Sequence, residues 1–392
     1  MLAQDAHPDV PGRMDSPVAA RSRELFASVA AMGNCPMPSA SILADRIEER
    51  LWRDRPHAFP STEAELSLNF AVGRRLVRQA SRILQQRGVM TARRGGGGSG
   101  GLRPTIPNTS QAADALADAV RDESSARAIH DARALLLPCL STVDGPLSSF
   151  VRQTIESIEA GPSRSGAPEE RCSQAWQLAM ALLRQLAAKG TGGTRVFLGS
   201  LDAIAQQHDA SLEIAVEAVR LLEDRQVVEL RRGRGGGVYG SSGSVTQAAR
   251  MANAFLAGHQ VSVEACSRIL GAINVRMTDL ACERASDEGR GRVQAALSKM
   301  RNARNSTELG VAWYPLQREV AELADSPVLH IFARSLAGSL LLRRLRSAEL
   351  PHAAASELFD ASQRIASNVL TGTLADNSDA HWRCQRALEP HW

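Results

Sequence analysis

With 392 residues the chain is long enough for two or three domains, and 44% apolar against 22% charged residues is an ordinary globular composition. A net charge of +4 excludes a general polycation, so any attraction to nucleic acid has to come from local charge. No apolar run of roughly 18 residues and no signal-peptide pattern occurs, and the six cysteines include no close pair. The expectation is a cytoplasmic protein without membrane contact, CxxC motif or disulfide framework.

Residues 1–39 are rich in Pro, Ala, Ser and Asp and are expected to be a flexible arm. Ile42, Leu43, Ile47 and Leu51 share one side of a first helix over 42–52. Thr62 stands three residues before Glu65, a capping-box spacing that opens a short helix through Phe70. Ala71-Val72-Gly73 turns into a helix unlike its neighbours. At about 100° per residue, Arg74, Arg75, Arg78 and Arg82 form one strip, while Leu76, Val77, Ala80, Ile83 and Leu84 occupy the opposite side. Over 71–103 there are eight arginines and no acid. A charge run is usually a solvated face of mixed sign; this one has a single sign. Gly88 can end the helix, residues 89–94 read as a strand, and Gly95–Gly98 as a tight turn. Helix, helix, turn, helix and basic glycine tip make a winged helix-turn-helix over 40–104, whose recognition helix enters the major groove of DNA.

The stretch FPSTEAELSLNFAVGRRLVRQASRILQQRGVMTARRGGGG resembles the winged helix of GntR-type bacterial transcription regulators, in particular the FadR-like branch. The resemblance implies that Arg74 and Arg78 are the recognition-helix arginines and that Arg94 and Gly95 form the wing tip reaching the minor groove. Glu63 matches the glutamate opening the second helix. Ala64 stands where the family carries arginine, and Gly73 where it carries Ser or Thr. Arg75, Arg82 and Arg93 complete the expected DNA-binding set.

Beyond the wing, 112–120, 126–137 and 148–158 read as helices, with Pro138 and Asp144-Gly145-Pro146 as interruptions and 161–168 as a linker. A shift of 138 positions reveals an internal repeat. ASRILQQRGVMTARRGGGG (80–98) aligns with AVRLLEDRQVVELRRGRGG (218–236), and Phe59 with Phe197. A second winged helix is therefore expected over 172–241. Its chemistry differs, because Arg74, Arg75 and Arg78 become Leu212, Glu213 and Val216. Residues 209–241 hold five arginines against six acids, net −1, whereas 71–103 is +8. Acidic and apolar residues do not neutralise phosphates. Copy two is expected not to read bases and to pack on copy one, the tail or a partner subunit.

From 245 onward the pattern is helical throughout, with helices expected at 245–257, 263–285, 291–302, 307–324, 328–346, 353–371 and 377–388. LACERASDEGRGRVQAALSKMRNA and WYPLQREVAELADSPVLHIFARSL resemble the FCD effector domain of FadR-like regulators. Residues 131–159, within a helical connector over 111–160, lie as far past the first wing as 267–301 past the second. They read as a truncated copy of the start of that domain. Many FCD domains hold a divalent metal through one Asp and three His. Those positions fall on Trp313, Gln317 and at or near Gln363 and Ala387, which cannot supply the ligands. No metal or other cofactor is expected. The pocket is instead assigned to an organic effector, with an organic acid as one candidate and Trp313, Gln317, Arg318 and Gln363 as its lining.

Gly95-x-Gly97-x-x-Gly100 and Gly235-x-Gly237-x-x-Gly240 match the dinucleotide fingerprint formally, but Pro104 and Pro107 deny the first a following helix. No catalytic constellation stands out. The expected fold class is mainly α: two tandem winged helix-turn-helix domains and a C-terminal all-helical bundle over 245–392. The expected function is a non-enzymatic regulator, a homodimer on double-stranded operator DNA, responsive to a small molecule. The competing reading is an architectural or interaction protein that binds DNA with little sequence preference and no effector.

Overall fold

A computed structural model describes residues 39–54, 62–93, 101–121, 124–143, 145–160, 173–189, 196–225, 227–231, 233, 236–240, 246–344 and 350–388. The fold is mainly α, with two small antiparallel sheets. A first unit comprises α1 (Ser39–Asp54), α2 (Glu63–Asn69), α3 (Arg74–Gln86) and the hairpin β1 (Met90–Arg93) and β2 (Gly101–Pro104). Three helices follow: α4 (Thr109–Val120), α5 (Ala126–Cys139) and α6 (Pro146–Ala160). A second unit follows the order of the first with a strand added after its first helix: α7 (Gln174–Lys189), β3 (Val196–Gly199), α8 (Leu201–Gln207), α9 (Leu212–Asp224), β4 (Val228–Arg231) and β5 (Gly237–Gly240). The rest is helical: α10 (Thr246–Gly258), α11 (Val263–Arg284), α12 (Asp287–Arg301), α13 (Ser306–Leu323), α14 (Pro327–Arg344), α15 (His352–Thr371) and α16 (Asn377–Leu388). Among the described residues, no helix is long and apolar enough to cross a membrane.

Local chemistry sets these boundaries. The Thr62 hydroxyl accepts from the Glu65 amide while the Glu65 carboxylate accepts from the Thr62 amide, closing the capping box that opens α2. Asn108 and Gln111 do the same for α4. Ser200, Ser211, Ser262, Ser286 and Asn305 cap α8, α9, α11, α12 and α13 through side-chain oxygens. Gly88, at φ +75°, lets the chain leave α3 for β1. In the first hairpin Met90 lies opposite Pro104 and Arg93 opposite Gly101. The second sheet has the order β3-β5-β4, with Val228 opposite Gly240 and Arg231 opposite Gly237. Gly237 is confined to glycine by φ +156° and by the Gly199 carbonyl, which would lie 2.8 Å from an added Cβ.

The proline expected to stop α5, Pro138, sits inside its last turn, where the helix is already ending. Helix α12 starts four residues before the expected Gly291, because Ser286 caps it and Gly289 lets Leu323 approach. Strand β3 is an addition to the elements expected from the sequence.

The buried side chains do not form one core per consecutive segment. One cluster joins the first and second units: Leu43, Ile47, Val77 and Leu84 belong to it together with Leu178, Leu182, Val219 and Leu222. The other joins α4–α6 to the tail: Leu116, Leu136, Phe150 and Ile155 share it with Phe255, Leu280, Phe332 and Ile365. Like packs with like, across the repeat. Within the second cluster α4 packs on α10, α6 on α4, and α14 on α10. The Phe150 ring lies 5.1 Å from Phe255 and 6.0 Å from Phe332, centroid to centroid.

Candidate nucleic-acid interface and ligand cavity

Helix α3 is held from behind. Val77, Ala80, Ile83 and Leu84 are buried against α1 and α2, so burial of the apolar side fixes which way the arginines point. Arg74, Arg75 and Arg78 are exposed, and the Arg82 side chain is about half exposed. Arg78 Nε lies 3.5 Å from Glu63 Oε2, a solvent-facing pair of small energetic weight. Arg93 is placed on β1. Arg94 and Gly95, expected as the wing tip, lie outside the described residues, as do Gly97, Gly100 and residues 1–38 of the flexible arm expected at 1–39, whose last residue, Ser39, begins α1.

What faces the arginine strip is α9 of the second unit. Arg75, Arg78, Gln79, Arg82 and Ile83 line one wall of a cleft of about 660 Å³. Ser211, Leu212, Glu213, Ile214, Val216, Glu217, Arg220 and Leu221 line the other. The helices meet where Arg82 pairs with Glu217 and where Arg220 Nη1 donates to Gln79 Oε1 at 3.1 Å. Leu212 remains 48% exposed, so it overhangs the cleft without sealing it. The cleft is cationic on the α3 wall and acidic to apolar on the α9 wall.

Arg87, the next arginine after the strip, is only 1% exposed. It donates to Asp224 at the end of α9 (Nε–Oδ2 3.0 Å, Nη2–Oδ1 2.6 Å) and to Glu48 of α1 (Nη1–Oε2 2.8 Å). Its Nη2 also lies 2.8 Å from Asp45. Arg250 of α10 reaches Asp224 at 3.2 Å and Asp45 at 3.2 Å. Burial pushes the Asp224 carboxyl up, but Arg87 and Arg250 outweigh it and hold the group at about 2. For Glu48 burial prevails and its pKa is raised. At about 100° per residue Arg87, the C-cap of α3, falls roughly 220° from Arg74, among Leu76, Val77 and Ala80, so the period itself sets it on the buried side, apart from the exposed arginines. The acids answering it, Asp45, Glu48 and Asp224, lie too far off in sequence to signal the pairing.

A second cavity, about 60 Å³, lies in the tail between α11, α13 and α14. Helical spacing builds each wall: Leu270, Asn274 and Met277; Trp313, Tyr314, Gln317, Arg318 and Ala321; His330, Ala333, Arg334 and Ala337. Three of the four residues expected to line a pocket, Trp313, Gln317 and Arg318, are among them. Gln363 is not: it sits on the exposed side of α15, because Ala361, Ser362 and Ile365 take that helix's buried side. Asn274, Tyr314, His330 and Arg334 were missed, and the i, i+4 pair of His330 and Arg334 was the available signal. Gln317 Nε2 and His330 Nε2 are buried and find no hydrogen-bond partner within the described chain. Burial, then Arg334 and Arg318, lower the His330 pKa to about 4, so the ring is neutral near pH 7. Burial lowers Arg334 to about 10, still cationic at that pH. The cavity thus offers apolar and aromatic walls, amides and two guanidinium groups. Among the described residues, no three His, Cys, Asp or Glu side chains gather as a metal site would require.

No family model matches the chain. No curated protein matches it. Among solved structures it is similar to a GntR protein of Streptococcus agalactiae at 15% identity, over 55% of this chain and 98% of that one, with a TM-score of 0.35. That likeness is too loose to bear on fold or activity.

Proposed function

We propose that the chain is a DNA-binding regulator in which α1–β2 is a winged helix-turn-helix and α3 is its recognition helix. The observation that carries this reading is a helix with a buried apolar back and an exposed front bearing Arg74, Arg75 and Arg78, with no acid on the helix itself. Guanidinium groups on a rigid helix are suited to bidentate contact with guanine and to phosphate neutralisation. Arg74 and Arg78 take the base-reading role, while Arg75, Arg82 and Arg93 contact the backbone and Arg94 with Gly95 enters the minor groove. The unit α7–β5 is a second winged helix that has given up base reading. The tail cavity binds a small organic acid, whose carboxylate meets Arg318 and Arg334 while Gln317 and neutral His330 donate to it.

The test is a titration of the protein onto duplex fragments flanking its own coding region, followed by fluorescence anisotropy with short carboxylic acids present or absent. Binding that is lost in Arg74→Ala/Arg78→Ala, and that shifts with one acid in the wild type but not in Arg318→Ala, supports the reading. Unchanged affinity in the double variant refutes it.

A further inference from the structure

The contacts between α3 and α9 are reciprocal. Under the 138-residue repeat, Arg82 and Arg220 occupy one position and Gln79 and Glu217 another. In the structure Arg82 meets Glu217, and Arg220 meets Gln79. Position i of each copy contacts position j of the other, which is the mark of a two-fold (isologous) interface between subunits. Here both sides belong to one chain. The same relation holds lower down: α4 and α10, which follow the two hairpins, pack on each other. Helices opened by Pro146 and Pro327 then pack on α4 and α10 respectively. Both hydrophobic clusters are shared between the two halves.

The two halves have complementary losses. The first keeps the arginines on its helix, but among the described residues it has no counterpart of α13, which supplies Trp313, Gln317 and Arg318 to the cavity. The second keeps the cavity but carries Leu212, Glu213 and Val216 where the first has Arg74, Arg75 and Arg78. A symmetric pair of subunits would present two reading helices and two cavities. The described residues present one arginine-faced helix and one such cavity.

We infer that the chain is its own pair: the second unit takes the place of a second subunit, and a single chain recognises one half-site of a non-palindromic duplex. The inference rests on the DNA-binding reading above. A palindrome mirrors two equal reading heads, and here the second head cannot answer. Glu213 at the start of α9 repels phosphate, and Leu212 and Val216 make no charged contact with it.

The experiment selects duplexes from a random pool with the wild-type chain, then measures the mass of the complex with the enriched duplex by sedimentation. One-sided sequence enrichment and a one-to-one complex are expected. A two-fold symmetric motif bound by two chains overturns this inference while leaving DNA binding intact; a pool with no enrichment overturns both. A second arm restores the lost head with Leu212→Arg, Glu213→Arg and Val216→Arg, at positions that line the open cleft. The enriched half-site, repeated as a palindrome with the spacing varied, should bind this variant at least about tenfold more tightly than the wild type, through the guanidinium contacts added on α9. Equal affinity of variant and wild type at every spacing counts against the inference, given thermal melting that shows the variant folded.

Discussion

Arg87 and Asp224 stand 137 positions apart and form a two-pronged ion pair, at 3.0 and 2.6 Å, with side chains 1% and 4% exposed. Their pairing ties the end of α3 to the end of α9. Replacing Arg87 by methionine leaves Asp224, Asp45 and Glu48 partly uncompensated in a buried site. Breaking a buried pair this way costs about 3–5 kcal/mol. Urea denaturation should show that loss, and both units should unfold together because they share one core. Replacing Arg87, Asp224 and Glu48 together with apolar residues of similar volume should recover much of it.

The same pair predicts an acid limb. The folded Asp224 pKa, about 2, lies below its ordinary value of 3.8, so its contribution is complete above pH 4 and disappears as pH falls toward 2. Its size is about 2 kcal/mol. Glu48, raised by burial, works in the opposite direction, its contribution declining as pH rises through its folded pKa. Denaturation midpoints of the wild type and Asp224→Asn should therefore converge only as pH falls to about 2.

Two histidines place a second limb nearer neutrality. Burial lowers His381 to about 4, and the Thr278 hydroxyl lies 2.7 Å from its Nε2. His330 also falls to about 4. Both folded values are depressed below 6.5, so their stabilisation is full above pH 6.5 and is lost as pH drops toward 4. His381 accounts for up to about 3 kcal/mol, and His330, partly exposed through the cavity, for less. Melting temperature should fall across that window, and His381→Gln should flatten the fall.

Arg78 and Arg82 should separate by kind of effect. Arg78→Ala is expected to relax preference at one base pair by roughly 1–3 kcal/mol, whereas Arg82→Ala weakens all duplexes alike and lowers the salt slope by about 1. Competition binding on single-base variants at two salt concentrations distinguishes them.

Glu217 pairs with Arg82, so on the proposed DNA-binding reading it would compete with phosphate for that guanidinium. Glu217→Gln should tighten binding to every duplex by a few-fold at low salt and leave sequence preference unchanged, since an exposed pair of this kind is worth about 0.2–1 kcal/mol. Anisotropy titrations with specific and scrambled duplexes check both halves of that statement.

The arginine helix was legible in sequence because its polar side has one sign of charge and its apolar side keeps the 3.6 period. The bounds of α16 came out as expected because Asn377 and Leu388 bracket an uninterrupted pattern. The family resemblance pointed to Trp313, Gln317 and Arg318, which line the tail cavity, and to Gln363, which lies on the exposed side of α15, where a shift by one residue along the helix changes the face. The face-to-face seating of α3 and α9 was not legible. Leu212 and Val216 signalled packing, but the partner surface is defined by residues more than a hundred positions away. Strand β3 escaped notice since Val196–Gly199 is too short to establish alternation.

The reciprocal contacts of Arg82 and Arg220 also bear on how such a molecule can change. In a homodimer every substitution occurs twice, once on each side of the axis, so a mutation that helps one side and harms the other is never tried alone. Joining the sides in one chain lifts that coupling. Charge can drain from one helix while its twin keeps it, and a binding chamber can vanish from one half while the other retains it. The difference between Arg74-Arg75 and Leu212-Glu213 is the kind of record such independent drift leaves.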